Sequence, residues 1–197
     1  MNRGYSVLFA AAWLLVGCAN DPTIIRDTGT MLEPMPKPAS LPQEITWSGK
    51  DAGVDKLISA EGDMVTWQQV EGSESGCTWT NDGWFAPTSS WKGCNSSDGT
   101  QQAVKTGDIW PLEIGKTETY QVTGKNASDS WQTTRTCEVK SVVLVTVAER
   151  DIPAYEVTCE DKWRVQTWYI SPELQRVVRY KNWHNRRGLL TDVTLAL

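Results

Sequence analysis

The chain has 197 residues, a formal net charge of −5 at pH 7 and 40% hydrophobic residues, which suits one globular domain with short attached segments. Its acidity disfavours nucleic-acid binding, because domains with that function are usually basic. The single histidine has no cysteine or glutamate at metal-ligand spacing, and no cofactor motif is present. We therefore expect no nucleic-acid partner, no cofactor and no metal.

The N-terminus has the layout of a secretory signal peptide over residues 1–17. A single positive charge at Arg3 precedes an apolar run from Val7 to Val16. This run of about ten residues is shorter than the roughly twenty that a helix needs to cross a hydrocarbon core. The pattern therefore predicts a signal that is cleaved.

The apolar run ends in Leu15-Val16-Gly17-Cys18. This sequence resembles the lipobox of bacterial lipoproteins position by position, and the alternative is an ordinary signal peptide with a chance cysteine. The resemblance implies that Cys18 becomes the first mature residue and carries acyl chains, such as palmitate, that bind the membrane. In Gram-negative lipoproteins, Ala19 rather than Asp after that cysteine implies delivery to the outer membrane, with the domain facing the periplasm.

Residues 18–43 are expected to form the lipidated N-terminus and a proline-rich tether. The segment has no hydrophobic periodicity and contains Pro22, Pro34, Pro36, Pro38 and Pro42. Prolines stiffen such a segment into an extended form of roughly 3 Å per residue. We therefore expect it to hold the following domain several nanometres from the membrane.

Residues 44–197 are predicted to fold as a single, mainly β domain, because alternation of apolar and polar residues recurs and helical spacing is nearly absent. The expected architecture is an antiparallel sheet curled into a half-barrel or open barrel. The clearest hairpin begins near Val54, turns at residues 60–63 and returns through Trp67. Further strands are expected over 117–123, 131–148 and 154–168, with a last hairpin that pairs 176–183 with 189–197.

Four cysteines remain once Cys18 is acylated, an even number that suits disulfide pairing in an oxidising envelope. They are Cys77, Cys94, Cys137 and Cys159. Alternation places Cys137, with Val139, Val143, Val145 and Val147, on the odd-numbered face of one strand, and Cys159 on the matching face of the next. Cys137–Cys159 is therefore the favoured pair among three connectivities. Cys77–Cys94 would then close a Gly-, Ser- and Trp-rich segment, expected to be a long loop or an irregular hairpin.

Short motifs between residues 108 and 181 carry a family resemblance. They are Trp110-Pro111-Leu112-x-x-Gly115, Ile152-Pro153-Ala154, and Trp168-Tyr169-x-x-Pro172-x-Leu174. This set resembles a group of largely uncharacterised proteobacterial periplasmic β-domains, in which Gly usually stands where this chain has Tyr155 and Gln175. The resemblance implies a half-barrel and brings no catalytic residues with it.

The sequence gives little support for an enzyme. His184 lies beside Arg186 and Arg187 at an expected hairpin tip, where a solvated side chain is the simplest interpretation. No nucleophile motif is present. Twelve aspartates and twelve glutamates would allow an acid–base pair for glycoside cleavage, but no pair stands out.

Tryptophan is the unusual feature, since ten remain after the signal peptide is removed. Most are expected to fill a shallow core. Trp79, Trp84 and Trp91 lie within the Cys77–Cys94 loop, and loops often carry binding residues. These three are therefore candidates to stack on sugar rings or to line a groove for acyl chains.

Basic residues are concentrated near the C-terminus, where residues 162–187 hold seven Lys or Arg and one acid. The candidates among them for contact with a ligand are Arg176, Arg179, Lys181, Arg186 and Arg187. They would contact phosphates of envelope lipids or carboxylates of peptidoglycan. Alternatively, they form cross-strand ion pairs within their own sheet.

Three functions remain open. The first is a non-enzymatic cell-envelope lipoprotein whose tethered domain binds or scaffolds an envelope protein, peptidoglycan or lipid. The second is a carrier of lipids or other apolar ligands in the concave side of the sheet. The third is an inhibitor of a cell-wall hydrolase, similar to the small β-barrel lipoproteins that block lysozymes.

Overall fold

The computed structural model describes residues 24–26, 31–95 and 97–197, and these ranges contain thirteen strands. The strands are β1 (Ile24–Arg26), β2 (Glu44–Lys50), β3 (Gly53–Glu61), β4 (Met64–Gly72), β5 (Thr78–Asp82), β6 (Thr88–Cys94), β7 (Ser97–Gly107), β8 (Thr117–Asn126), β9 (Ser130–Val147), β10 (Arg150–Glu160), β11 (Arg164–Ser171), β12 (Arg176–His184) and β13 (Gly188–Leu195). No helix in the described part of the chain is long and apolar enough to cross a membrane. The signal peptide and Cys18 lie outside the described residues.

Strands β2 to β13 form a closed antiparallel barrel. Each strand pairs with the next one along the chain, and β13 pairs with β2 to complete the ring, with Leu195 opposite Trp47. The expected antiparallel β class is confirmed, but the half-barrel or open barrel is wrong because the sheet has no gap. The closing pair joins the two ends of the domain, and alternation within each strand carries no signal for such a contact.

The two ends of the barrel differ. The turns after β2, β4, β6, β8, β10 and β12 all lie at one end, which we call the mouth, because consecutive strands run in opposite directions. The other end, the closed end, is filled by hydrophobic side chains that are at most 1% exposed: Met35, Phe85, Ile109 and Leu112. Truncating a buried aromatic residue such as Phe85 typically costs about 3–5 kcal/mol. The closed end is therefore a dry core.

Part of the expected tether belongs to the folded body. Met35 and Leu112 exchange two backbone hydrogen bonds of 3.1 and 2.8 Å, and the Tyr155 hydroxyl donates to the carbonyls of Leu32 and Glu33 at 3.2 and 3.0 Å. Upstream, β1 pairs with residues 143–145 of β9. The prediction of an extended spacer over 18–43 is therefore wrong for β1 and for residues 32–35, because these segments bind to the barrel.

A bulge in β9 changes which face its side chains occupy. Val139 pairs with Val157 and Ser141 pairs with Glu156, so Lys140 has no partner in the ladder. Beyond this point the odd-numbered valines leave the cluster that contains Cys137 and Val139 and join a second cluster with Ile152 and Tyr169. The prediction of one continuous odd-numbered face is therefore wrong after residue 139.

The strand expected over 154–168 is two strands, β10 and β11. Asp161 produces the turn between them, because its Oδ1 atom accepts the backbone N–H groups of Trp163 and Arg164 at 2.8 and 3.0 Å. The expected pairing of Cys137 with Cys159 is seen directly in the register of β9 and β10.

Gln175 and Tyr155, which stand where the resembled β-domains usually have Gly, have different structural roles. Gln175 has a φ of 53°, so the turn between β11 and β12 keeps the left-handed conformation that glycine prefers. Tyr155 instead uses its side chain, which is buried in the core and hydrogen-bonded to the N-terminal segment. The first substitution therefore leaves some backbone strain, and the second adds packing.

Candidate ligand-binding site

The interior of the barrel is a cavity that extends from the closed end to the mouth, and we call it the lumen. Its volume is about 1210 Å³, which exceeds the roughly 300–1,000 Å³ of a typical small-molecule site. Residues from the mouth turns, including Asp51, Asn95 and Arg187, complete its lining. The lumen therefore has room for an extended ligand that enters at the mouth.

Tryptophan dominates the lining. Eight of the ten tryptophans in the mature chain contribute to it: Trp47, Trp67, Trp79, Trp84, Trp91, Trp131, Trp163 and Trp168. The cross-strand register explains part of this concentration, because Trp67 lies opposite Trp79 and Trp79 lies opposite Trp91. Trp91 and Trp131 approach each other with ring centroids 6.0 Å apart. We call Trp67, Trp79, Trp91 and Trp131 the tryptophan wall.

Two glycines allow the outer rings of this wall to lie flat. Gly99 is the cross-strand partner of Trp91, and Gly124 is that of Trp131. A Cβ atom would lie 2.1 Å from the Trp91 ring at residue 99 and 2.3 Å from the Trp131 ring at residue 124. The indoles therefore occupy the space that side chains on β7 and β8 would take, and flat apolar faces line the lumen.

The three tryptophans selected from the sequence all line the lumen, but not as a surface loop. Trp79 and Trp91 lie on the paired strands β5 and β6, and Trp84 lies at the closed end, where its ring packs edge-on against Trp110 at 5.7 Å. Of the two alternatives expected between Cys77 and Cys94, a long loop or an irregular hairpin, the structure shows the hairpin, which forms part of the barrel. The sulfur atoms of these two cysteines are 1.94 Å apart.

Arg135 is a buried cation in the lumen. Its residue is 4% exposed, and burial lowers the pKa of its guanidinium. Nη1 donates to Gln166 Oε1 and lies 3.7 Å from an Asp161 carboxylate oxygen, while the guanidinium carbon is 5.4 Å from the centre of the Trp168 ring. The Nε–H group is buried and has no acceptor among the described residues.

Three oxygen atoms in the lumen are also buried without a partner in the described structure. They are Oδ1 of Asp55, Oδ1 of Asn81 and Oδ1 of Asn182. Asp55 accepts a hydrogen bond of 2.8 Å from Trp47 Nε1 through its other oxygen. Desolvation by burial raises the pKa of Asp55 to about 6, opposed by the Trp47 bond and assisted by the nearby Asp51 carboxylate. Sequence reasoning missed these polar positions.

The basic residues selected from the sequence separate into two groups. Arg176, Arg186 and Arg187 line the lumen or its mouth. Arg179 and Lys181 lie on the opposite face of β12, where Arg179 Nη2 is 2.9 Å and Lys181 Nζ 3.7 Å from the Asp192 carboxylate. For these two residues the structure agrees with the cross-strand pairing, whereas the other three belong to the candidate site.

Neither His184 nor the cysteines form a metal site in the described residues. His184 Nδ1 accepts the backbone N–H of Arg186 at 3.1 Å. Ligand atoms of Glu74, Cys77 and Cys94 lie within 4.8 Å of one another. Both of those sulfur atoms belong to a disulfide, so they have no thiolate to offer.

The fold and the lumen together define an antiparallel β-barrel with one closed end and one open end that leads to an internal cavity. No family model matches the chain, and no curated protein matches it. One similar solved structure is that of the hypothetical lipoprotein YmcC from Escherichia coli K12. That chain is 11% identical, the match covers 84% of this chain and 89% of that chain, and the TM-score is 0.48.

Proposed function

We propose that this chain is a non-enzymatic cell-envelope lipoprotein whose barrel binds a segment of glycan in its lumen. The observation that carries the proposal is the presence of the tryptophan wall and of unpaired polar atoms in one cavity. A sugar ring has an apolar face of C–H groups that stacks on indole, and hydroxyls at its rim that donate and accept hydrogen bonds. The tryptophan rings of the lining suit the apolar face, and its unpaired polar atoms suit the hydroxyls.

An acyl chain fits this lumen less well. It would leave the buried atoms of Asp55, Asn81, Arg135 and Asn182 without partners, at a cost of roughly 1–3 kcal/mol for each group. A carrier of apolar ligands would gain from a lining without such atoms. The polar positions therefore favour a glycan over a lipid as the ligand of the site.

The positions of the tryptophans favour a glycan ligand over the inhibitor hypothesis. An inhibitor would have to present loop residues, such as Trp79, Trp84 and Trp91, to the cleft of a hydrolase. These side chains instead line the barrel interior, where a folded enzyme has no access to them. A single peptidoglycan or polysaccharide strand, by contrast, is an extended ligand of the kind for which the lumen has room.

The lipobox and β1 together suggest how the barrel is oriented on the membrane. Cys18 precedes Ile24 by six residues, a distance of at most roughly 20 Å. Ile24 pairs with Val145, which lies toward the closed end of β9. If Cys18 is acylated as proposed, the closed end lies near the membrane and the mouth opens away from it. At the outer membrane, as Ala19 implies, the mouth would then face the periplasm and its glycans.

Intrinsic tryptophan fluorescence of the intact protein in detergent tests the ligand class. We expect titration with peptidoglycan fragments or envelope polysaccharide oligomers to change the emission, whereas fatty acids should not. Trp79→Ala should weaken glycan binding at least tenfold. Trp183→Ala is the matched control, because Trp183 is 49% exposed and does not line the lumen. Saturable binding of fatty acids without any binding of glycans would refute the proposal.

Amine labelling of the vesicle-anchored protein tests the orientation. Relative to the protein in detergent, Lys37 near the closed end should become protected, while Lys162 at the mouth should label unchanged. Protection of Lys162 alone would contradict the orientation but would leave glycan binding untouched.

A further inference from the structure

We propose that the lumen selects an anionic saccharide and that Arg135 recognises the carboxylate or phosphate of that ligand. The proposal rests on the proposed function, because it names the chemical class of glycan for the same site. The supporting observation is that Arg135 is buried although its Nε–H group has no acceptor among the described residues.

The partners of Arg135 leave part of its guanidinium free. Nη1 donates a hydrogen bond to Gln166 Oε1, and the face of the guanidinium lies over the Trp168 ring. Gln166 is itself oriented by the hydrogen bond that its Nε2 atom donates to the Tyr180 hydroxyl. Nε–H remains without an acceptor among the described residues. A carboxylate or phosphate oxygen is the acceptor that an arginine N–H binds most strongly.

Other charged groups lie around Arg135 and toward the mouth. Asp161 is the acidic group closest to Arg135 in the described structure, at 3.7 Å, and its Oδ1 atom already accepts two backbone N–H groups. Arg164 is a second cation near Arg135, since its charge also lowers the pKa of that residue. Toward the mouth, the lining continues with Arg186 and Arg187, and neither side chain pairs with a carboxylate among the described residues.

Hydrogen-bond acceptors without partners lie on other strands of the lumen. Arg135 lies on β9 and Asp55 on β3, which are six strands apart in either direction around the ring of twelve. The free oxygens of Asp55 and Asn81 accept hydrogen bonds, so they suit hydroxyl donors. A ligand with an anionic group on one side and hydroxyls on the other would satisfy both sides, whereas a neutral sugar would leave Arg135 with Asp161 as its one ion-pair partner among the described residues.

A glycan array of the intact protein in detergent tests this inference. Each acidic glycan is printed beside its neutralised counterpart, with uronates beside their methyl esters and phosphorylated mannose oligomers beside the dephosphorylated forms. We expect the acidic member of a pair to bind about 10- to 100-fold more tightly, as one charge-assisted hydrogen bond typically gives. A preference among the uronate pairs identifies a carboxylate as the recognised group, and a preference among the mannose pairs identifies a phosphate.

Arg135→Gln should abolish this preference, bringing the two affinities together, and should leave binding of the neutral member nearly unchanged. Arg150→Gln is the control, since Arg150 is exposed and pairs with Glu173 outside the lumen. If Arg135→Gln does not fold, the wild-type array still decides the charge preference, and the exposed Arg164→Gln should reduce that preference in part.

The outcomes separate the two claims. Equal binding of acidic and neutral members overturns the anionic inference and leaves glycan binding standing. An acid preference that survives Arg135→Gln overturns the role of Arg135. Binding to no glycan on the array overturns the proposed function, and the inference with it.

Discussion

Asp55 is a carboxylate that the barrel holds at a cost to its own stability. One oxygen accepts the indole N–H of Trp47, and the other is buried without a partner among the described residues. Burial raises its pKa from 3.8 to about 6. Replacing the charged group with a neutral amide of the same shape, Asp55→Asn, should therefore stabilise the fold.

The magnitude and the sign follow from linkage. The unfolded chain loses the Asp55 proton near pH 3.8 and the folded chain loses it near pH 6. Between these values the folded state binds more protons, so stability falls as pH rises, by about 1.4 kcal/mol for each pH unit. At pH 7.5 the ionised carboxylate therefore costs about 3 kcal/mol relative to pH 3.5, and Asp55→Asn should recover about 2–3 kcal/mol of this.

Urea denaturation monitored by circular dichroism at pH 4, 6 and 7.5 measures the effect. The difference between Asp55→Asn and wild type should be small at pH 4 and reach its full value at pH 7.5. Glu61→Gln is the matched control, because Glu61 lies at the exposed end of the same strand. A variant that is less stable than wild type at pH 7.5, or a difference that does not change with pH, would refute the reasoning.

Three further variants test other features of the fold. Gly124→Ala should destabilise the domain by about 1–3 kcal/mol in thermal denaturation, because the new Cβ would overlap the Trp131 ring, and an unchanged midpoint would contradict the close approach. Gln175→Gly should stabilise the domain by up to about 1 kcal/mol in the same assay, since glycine adopts the left-handed backbone conformation of residue 175 without strain. A lower midpoint than wild type would show that contacts of the Gln175 side chain outweigh this strain. Replacing both Cys137 and Cys159 with Ala should lower the free energy of unfolding by about 3 kcal/mol in urea denaturation, as expected for a disulfide that closes a loop of this length. A decrease below about 1 kcal/mol would contradict this contribution of the disulfide.

Local features of the fold could be predicted because their signals lie within a few residues of each other. The hairpin of β3 and β4 has its turn where Gly62 and its neighbours predict it. The Cys137–Cys159 proximity followed from the alternation of two adjacent strands. Closure of the ring by β13 and β2, and the bulge at Lys140, depend on contacts between distant segments, so alternation could not reveal them.

The candidate site was only partly predictable, for a reason specific to barrels with polar side chains in their interior. Alternation distinguishes an apolar face from a polar face, and it assigns the polar face to solvent. In this lumen, polar and charged side chains such as Arg135 and Asn182 face inward, so their strands present polar residues on both sides. Tryptophan stood out by its number alone, whereas nothing in the sequence separated Arg135 from a surface arginine.

The two disulfides connect this site to the rigidity of the barrel. Cys77 and Cys94 join the mouth ends of β5 and β6, the strands that carry Trp79 and Trp91. Cys137 and Cys159 join β9 to β10 two residues from Arg135, with sulfur atoms 2.01 Å apart. A ligand that binds a wall fixed in this way does not have to order it, so less of the interaction energy is lost to conformational entropy. The cross-links therefore lie beside both parts of the proposed glycan site, the stacking surface on one wall and the buried cation on another.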